Sequence, residues 1–518
     1  MKNPKDKNLY ALLSAHFPKA SSAPAMILPD GRVWTYGDVQ QASARMANLI
    51  VSLGLKPGDR VAAQVEKTPE ALVLYLATLR AGMVFLPLNP AYQRHELEYF
   101  LSDATPGLVV CRPQMRGLID ELAKTAKVAN VLELDDHGSG SLIEAATPFA
   151  NDFATALRSD DDLAAILYTS GTTGRSKGAM LTHRNLAENA QTLHAYWKFK
   201  KGDVLLHMLP IFHVHGLFVA SHCALLNGSA MLFEPKFDGK RALALLPQAT
   251  VFMGVPTYYV RLLLEPGFNK KLIKHMRLFV SGSAPLLKET FDEFRNRTGH
   301  TILERYGMTE GGMFTSNPYD GDRRGGTVGF PLPGMSVRIT DDEGKRLPTG
   351  EIGNILVKGA NVFVGYWKMP EKTKEEFTAD GFFKTGDMGR IDKDGYVAII
   401  GRSKDLIITG GLNVYPKEIE EMIDALPGVA ESAVIGLSHP DFGEAVTAVV
   451  VRQQNAAGAA LSEAGIIATL KAELANFKIP KRVHLVHDLP RNTMGKVQKN
   501  LLREQYKDIY AKQLKAGE

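Results

Sequence analysis

The sequence predicts an α/β protein of two or more domains with largely parallel sheets, on three observations. Between Trp34 and Tyr168, apolar runs of strand length alternate with helix-length stretches, the rhythm of parallel strands joined by crossover helices. One of those runs, DLAAILY, breaks into glycine and hydroxyl residues, and loops leaving the C-terminal ends of parallel strands are where open α/β sheets bind ligands. The chain has 518 residues, 45% hydrophobic and 23% charged, ample for a core and too long for a single one.

Taken in order, YGDVQQASARMANLIVSLGL from Tyr36 reads as a helix, Lys56 to Asp59 as a turn, Arg60 to Val65 as a strand, and the apolar stretch through Leu79 as a helix. GMVFLPLNP, LVVC, VANVLEL and AAILY supply further strands. After them come HMLPIFHVHG (His207 to Gly216), VFMGVPTYYVRLL (Val251 to Leu263) and RLFVSGSAPL (Arg277 to Leu286), each apolar and ending in small or turn-forming residues. On a strand, His213 and His215 share a face, which raises zinc; with no acidic or cysteine ligand beside it, such a pair is more often packing or substrate lining.

Composition excludes several classes. A net charge of +5, from 61 basic against 56 acidic residues, is too slight on this length to indicate a nucleic-acid or membrane partner. Cys111 and Cys223 are the only cysteines, which fits a reducing compartment and excludes a disulfide scaffold. The N-terminal lysines with Asp6 and only a short apolar run argue against a secretory signal and favour the cytoplasm, with a mitochondrial presequence left open. No uninterrupted apolar segment approaches the roughly 20 residues of a membrane span. Monomer and dimer are equally compatible with the sequence.

LYTSGTTGRSKGAMLTH, Leu167 to His183, has the composition of a phosphate-holding loop. Gly171 and Gly174 allow the backbone to turn and present N–H groups, Thr169, Ser170, Thr172, Thr173 and Ser176 offer hydroxyls, and Lys177 offers a cation. The NTPase P-loop does not fit, because Lys177 is followed by Gly178 rather than by a hydroxyl residue. Three further stretches join it: ERYGMTE (Glu304 to Glu310), FFKTGDMGRIDKDGYVAIIGRSKDLIITGGLNVYPKEIE (Phe382 to Glu420) and PRNTMGKVQKN (Pro490 to Asn500).

Together these motifs resemble the signatures of the acyl-adenylate-forming enzymes, the superfamily of acyl-CoA synthetases, adenylation domains and firefly luciferase. The resemblance implies a large N-terminal domain (1–401) with mostly parallel sheets plus a β-barrel-like subdomain, a hinge at 402–404 centred on Lys404, and a small mobile α+β domain (405–518). It implies ATP, Mg²⁺ and coenzyme A as the small-molecule partners of an organic acid. The Ser170 to Lys177 loop would wrap the β- and γ-phosphates. Tyr306, with Glu304 and Gly307 around it, would stack on adenine opposite Gly282, Ser283 and Ala284. Thr309 would touch the α-phosphate, Glu310 would hold Mg²⁺, and Asp387 and Arg402 would bind the ribose. Lys496 would be the catalytic lysine, and Gly410 and Gly411 would line the coenzyme A channel. From Lys478 to Lys515 there are ten Lys or Arg against three acids, read either as a solvated face or as a surface meeting the coenzyme A phosphates.

Arg261 and Arg305 stand near the expected acyl pocket, where a plain fatty acid would not want them. Either could tie a helix to a buried acid, or the two could bind a second substrate carboxylate in bidentate fashion. The stretches LPIFHVHGLFVA, GVPTYYVRLL, SGSAPLL, ILERYGMTE and LPRNTMGKVQKN make the chain similar to malonyl-CoA synthetases over nearly its whole length. That likeness implies malonate, with methylmalonate tolerated, held by Arg261 and Arg305 with His213 and Met313 bordering the pocket. Gly311 and Gly312 depart from the bulkier family pattern, which implies a wider pocket or a looser loop.

Overall fold

The computed structural model describes residues 6–169, 176–409, 412–439, 442–474, 476–493 and 495–510. Two large sheets dominate the first 331 residues. In the seven-stranded one, Arg60–Gln64 lies between Val84–Pro87 and Leu108–Cys111, and Leu163–Thr169 and Asn130–Glu133 extend the parallel run on either side. Lys177–Thr182 then turns back antiparallel to Leu163–Thr169, and the short Gly365–Tyr366 closes that edge. In the nine-stranded sheet, Ala230–Phe233, Val204–His207, Val251–Gly254, Leu278–Ser281 and Leu303–Met308 run parallel, with Gly312–Ser316 antiparallel beyond them.

The helices between the strands begin where side chains satisfy their free N–H groups. Thr35 and Asp38 form a reciprocal capping box on Tyr36–Ser52, and Thr182 and Asn185 do the same on His183–Tyr196. Pro69–Arg80 is almost entirely buried, consistent with the unbroken apolar run from Ala71 to Ala77 within it.

One ion pair pins the base of the nine-stranded sheet. Asp203, Thr250 and Arg277 each immediately precede one of three adjacent strands. Asp203 Oδ1 accepts from Arg277 Nε at 2.6 Å and from Thr250 Oγ1 at 3.0 Å, while Oδ2 accepts from Arg277 Nη2 and from the Lys200 N–H at 2.8 Å. The opposite, C-terminal ends of those strands carry His207, Gly254 and Ser281, where the site is built.

The barrel-like part of the expectation corresponds to a four-stranded antiparallel sheet, Ser336–Thr340, Gly353–Lys358, Phe383–Ile391 and Val397–Arg402 in that order. A single 3₁₀ turn, Ser403–Asp405, separates it from Ile407–Thr409, which belongs to the C-terminal sheet. There Val429–His439 and Gly443–Arg452 form a long antiparallel pair, and Arg482–Val486 adds in parallel. Ile407, Val414, Ile419, Ile423, Val434, Val446 and Ile466 belong to a core of their own, the mark of an independent unit. No helix among the described residues is long and apolar enough to cross a membrane.

Removing one partner of a buried, multiply hydrogen-bonded ion pair strands the other charge. Asp203→Ala is therefore expected to destabilise the N-terminal region by about 3–5 kcal/mol, read as a lowered thermal midpoint. The Michaelis constants of the remaining folded protein should stay unchanged.

Candidate active site

Asp387 and Arg402 face each other across neighbouring antiparallel strands, and that register brings Arg402 Nε to 2.7 Å from Asp387 Oδ1. The other carboxylate oxygen accepts the hydroxyl of Tyr306. A buried carboxylate is thus held on both oxygens by groups from two different sheets. Burial and the Asp387 charge raise the Tyr306 phenol well above its ordinary range, so it stays a donor. ERYGMTE, read from sequence as a loop, is mostly the strand Leu303–Met308; only Thr309 and Glu310 lie in the turn that follows. A Cβ at Gly307 would sit 1.9 Å from the Gly312 carbonyl oxygen, so the returning strand itself requires glycine there. Gly282, Ser283 and Ala284 leave the adjacent strand, with Ser283 at the left-handed φ of +73°.

Glu310 is buried, and Tyr366 donates its hydroxyl to Oε1 at 3.1 Å. Desolvation raises the Glu310 pKa, with the Tyr366 hydroxyl, Arg402 and Lys177 opposing. The Tyr366 ring also carries the Lys177 ammonium 4.3 Å from its centroid, and Lys177 pairs with Glu376 at 3.6 Å. Half-buried Thr309 is adjacent in the chain. Mg²⁺ is commonly held by one or two carboxylates together with substrate phosphates. A single buried oxygen ligand beside a lysine fits that mode, and no cluster of three or more potential protein ligands occurs among the described residues. The sequence reading missed Tyr366 and Glu376. Nothing local marks them, because they reach the site only through the short edge strand and the helix Pro370–Glu376.

Where the acid is expected, Arg305 is 3% exposed, and its Nε and Nη2 have no hydrogen-bond partner among the described residues. A Cβ at Gly282 would lie 2.3 Å from its Cζ, so that glycine makes room for the guanidinium. Burial lowers the Arg305 pKa to about 9. Its neighbour Glu304 is raised to about 7, again by burial, with Lys417 and Arg305 opposing. His213 is lowered to about 4, by burial first and then by Arg305, so both it and the more strongly lowered His215 are neutral near pH 7.

The two histidines do not share a strand face as expected. His213 lies in a bend and His215 opens the π-helix His215–Ser221. The His215 N–H donates to His213 Nδ1 at 3.2 Å, and His215 Nδ1 meets Ser283 Oγ at 3.2 Å. Buried Met313 has both backbone groups bonded to Asn189, at 3.3 and 3.0 Å. Arg261 is exposed on Pro256–Leu264, whose buried positions are Pro256, Tyr259, Leu262 and Leu263. Only its charge reaches inward, lowering the Tyr258 pKa against burial.

Gly311 and Gly312 have a role other than the widening expected of them. Added Cβ atoms would lie 2.4 Å from the Phe314 ring and 2.4 Å from Asn189 Oδ1 respectively, and Gly312 has φ of +66°. They let the turn after Glu310 close tightly rather than open the pocket.

The C-terminal domain docks its lysine loop over this site. Arg491 and Val497 form an antiparallel bridge, and the Lys496 N–H donates to Asn492 Oδ1 at 2.9 Å, so the loop is a closed turn rather than a loose one. Asn89 Nδ2 donates to Thr493 Oγ1 at 3.3 Å, and the Cα of Gly495 faces Thr257, which would lie 3.2 Å from an added Cβ. Lys417 reaches back to the Ile399 carbonyl at 2.8 Å. The Lys496 side chain keeps solvent access within the cleft. Surrounding protein nevertheless lowers its pKa to about 8, by desolvation first and then by Arg402, with Asp387 opposing. Ser170, Gly171, Thr172, Thr173 and Gly174, with Gly410 and Gly411, lie outside the described residues; Thr169 ends the strand before the first group.

A two-domain α/β chain whose C-terminal lysine turn, paired aspartate and arginine, and buried glutamate converge on one cleft defines an adenylate-forming ligase. The family model "AMP-binding enzyme" matches residues 14–367, "AMP-binding enzyme C-terminal domain" matches residues 418–496, and the chain belongs to that family. Malonate–CoA ligase of Arabidopsis thaliana is 35% identical over 96% of this chain and 89% of its own. ATP-bound MatB from Rhodopseudomonas palustris is 58% identical with a TM-score of 0.95, covering 98% of this chain and 100% of that one; apo MatB, at the same identity and coverage, gives 0.83. The arrangement described here is thus the more similar to the ATP-bound form.

The tight turn yields a direct test. Gly312→Ala forces a Cβ into Asn189 at a left-handed φ, a strain on the order of 1–3 kcal/mol. It should raise the Mg²⁺ concentration giving half-maximal activity, followed as AMP release in a Mg²⁺ titration.

Proposed function

We propose that this chain ligates malonate, with methylmalonate accepted, to coenzyme A at the expense of ATP, giving malonyl-CoA, AMP and pyrophosphate. One observation carries the choice of acid: the buried Arg305 guanidinium with two unpaired nitrogens. A second carboxylate on the substrate would satisfy both in bidentate fashion, whereas a monocarboxylate would leave them bare. Arg261, near the open end of the same helix as Tyr258, adds positive potential, while neutral His213 and Met313 shape the wall.

A carboxylate cannot be attacked by a thiol directly, because oxide would be the leaving group. Its oxygen first attacks the α-phosphate of ATP, breaking the α–β bridge and releasing pyrophosphate; the thiolate of coenzyme A then displaces AMP from the acyl carbon. Both reactants of the first step are anions, so catalysis rests on positioning and charge neutralisation. Lys496 bridges the attacking carboxylate and the α-phosphate, with Thr309 on the phosphate. Tyr306 and the Gly282–Ala284 segment enclose adenine, and Asp387 with Arg402 holds the ribose. Glu310 would hold Mg²⁺, which would supply charge neutralisation at the leaving pyrophosphate, and Lys177 with residues 170–174 would add to it.

Coenzyme A must approach where Lys496 now stands. The 3₁₀ turn at Lys404 joins the four-stranded sheet to the C-terminal sheet, and rotation there would withdraw Lys496 and bring Gly410 and Gly411 to the thiol's path. We place the enzyme in the cytoplasm, where its two buried free cysteines stay reduced.

The reaction is tested by a panel of acids given with ATP, Mg²⁺ and coenzyme A. Malonate should release AMP and acetate should not compete with it; AMP from acetate alone would remove the diacid assignment. Arg305→Leu should raise the Michaelis constant for malonate by at least about 100-fold while that for ATP changes little. Unchanged malonate kinetics would exclude Arg305.

Lys496 acts as the ammonium. Its cationic form is complete below a pKa of about 8 and lost above it. The kcat/KM of adenylation should therefore fall as pH rises through about 8. Lys496→Ala should cut adenylation about 100- to 1,000-fold yet spare thioester formation from supplied malonyl-AMP; equal loss in both steps would exclude the role.

A further inference from the structure

We propose that Lys67 and His207 are positioning residues that hold the histidine turn of the acid pocket in place, so that recognition of the diacid runs through them. The inference rests on the malonate reading above. Lys67 comes from the seven-stranded sheet, just beyond Arg60–Gln64 and next to Thr68, which caps Pro69–Arg80. Its Nζ crosses to the last residue of Val204–His207 in the nine-stranded sheet, 2.7 Å from the His207 carbonyl oxygen and 2.9 Å from Nδ1. It also lies 4.4 Å from the centroid of the Phe233 ring. Desolvation drives its pKa well down, with Glu234 opposing, a cost that a residue serving only as packing would not carry.

The other ring nitrogen of His207 lies 3.1 Å from the Gly216 carbonyl oxygen and 3.0 Å from Ser221 Oγ, whose proton goes to that same carbonyl. A carbonyl only accepts, so Nε2 carries the proton, Nδ1 is bare, and Lys67 is the donor to it. The same carbonyl accepts the Ser221 hydroxyl at 2.9 Å, across the π-helix His215–Ser221. Such insertions are rare and concentrate at functional sites. Gly216 is wedged in, since a Cβ there would lie 2.0 Å from the Pro210 carbonyl oxygen. His215 opens this turn, binds Ser283, and donates to His213; both imidazoles feel the Arg305 charge. Lys67 therefore fixes the His207 tautomer, His207 fixes the Gly216 carbonyl, and that carbonyl fixes the two rings beside the guanidinium.

The test compares wild type with Lys67→Met, His207→Leu, their double variant and His207→Gln, measuring Michaelis constants for malonate and ATP. Each of the first two should raise the malonate constant about 10-fold, the effect of leaving a buried group unpaired, with the ATP constant within about twofold. The double variant should be no worse than the poorer single one, because both act through one chain of contacts. His207→Gln, which keeps an N–H for Gly216, should retain most of the malonate affinity. Malonate and ATP constants moving together, additive single effects, or a glutamine variant no better than leucine would each overturn the proposal. Should Lys67→Met not fold, the His207→Leu and His207→Gln pair gives the same split. A wild type that ignores malonate would defeat the functional reading itself; one that uses it with all variants unchanged would defeat only this inference.

Discussion

A guanidinium buried without partners for two of its nitrogens is costly to maintain, and Arg305 is held in that state by its surroundings. Its strand is paired on both sides, its neighbour Glu304 is itself desolvated, the facing histidines are neutral, and Gly282 has given up a side chain to admit it. On the proposed reading, a substrate anion rather than a protein carboxylate completes the pairing. Unpaired buried polar groups discriminate strongly against ligands that cannot satisfy them. The same effect would give the proposed ligase its preference for a diacid.

The rest of the structure brings an electrophile to that anion. Strands end-on from the nine-stranded sheet, a cross-strand ion pair from the small antiparallel sheet and a turn from the C-terminal domain meet at one point. None of these units holds the site alone. Asp387 is fixed by Arg402 from its own hairpin and by Tyr306 from another sheet, while Lys496 arrives on a separately cored domain tethered by one 3₁₀ turn. This division suits a reaction in which the same acyl phosphate is approached first by a cation and then by a thiol.

Much of this was legible in the sequence because the informative signals are local. Alternating apolar runs gave the parallel strands within a residue or two, and DMG and GRS lay at the separation of a hairpin that pairs Asp387 with Arg402. What escaped reading depends on contacts distant in the chain. His213 and His215 fit a strand by period alone, yet Gly216 wedged on Pro210 and held by His207 makes a π-turn instead. Gly311 and Gly312 read as spare room until Asn189 and Phe314 fill it. Tyr366, linking Lys177 to Glu310, has no motif of its own. The outward position of Arg261 was available in principle from the helical phase of Tyr259 and Leu262, but the helix had first to be recognised as one.

The central claim, that Arg305 requires a second negative charge on the substrate, is tested most directly with two acids that differ chiefly in that charge. ATP–pyrophosphate exchange should be measured, without coenzyme A, for malonate and for its monomethyl ester. The account predicts exchange with malonate at an efficiency at least about 100-fold above that of the half-ester. Comparable exchange from both would mean that the buried guanidinium does not select the acid.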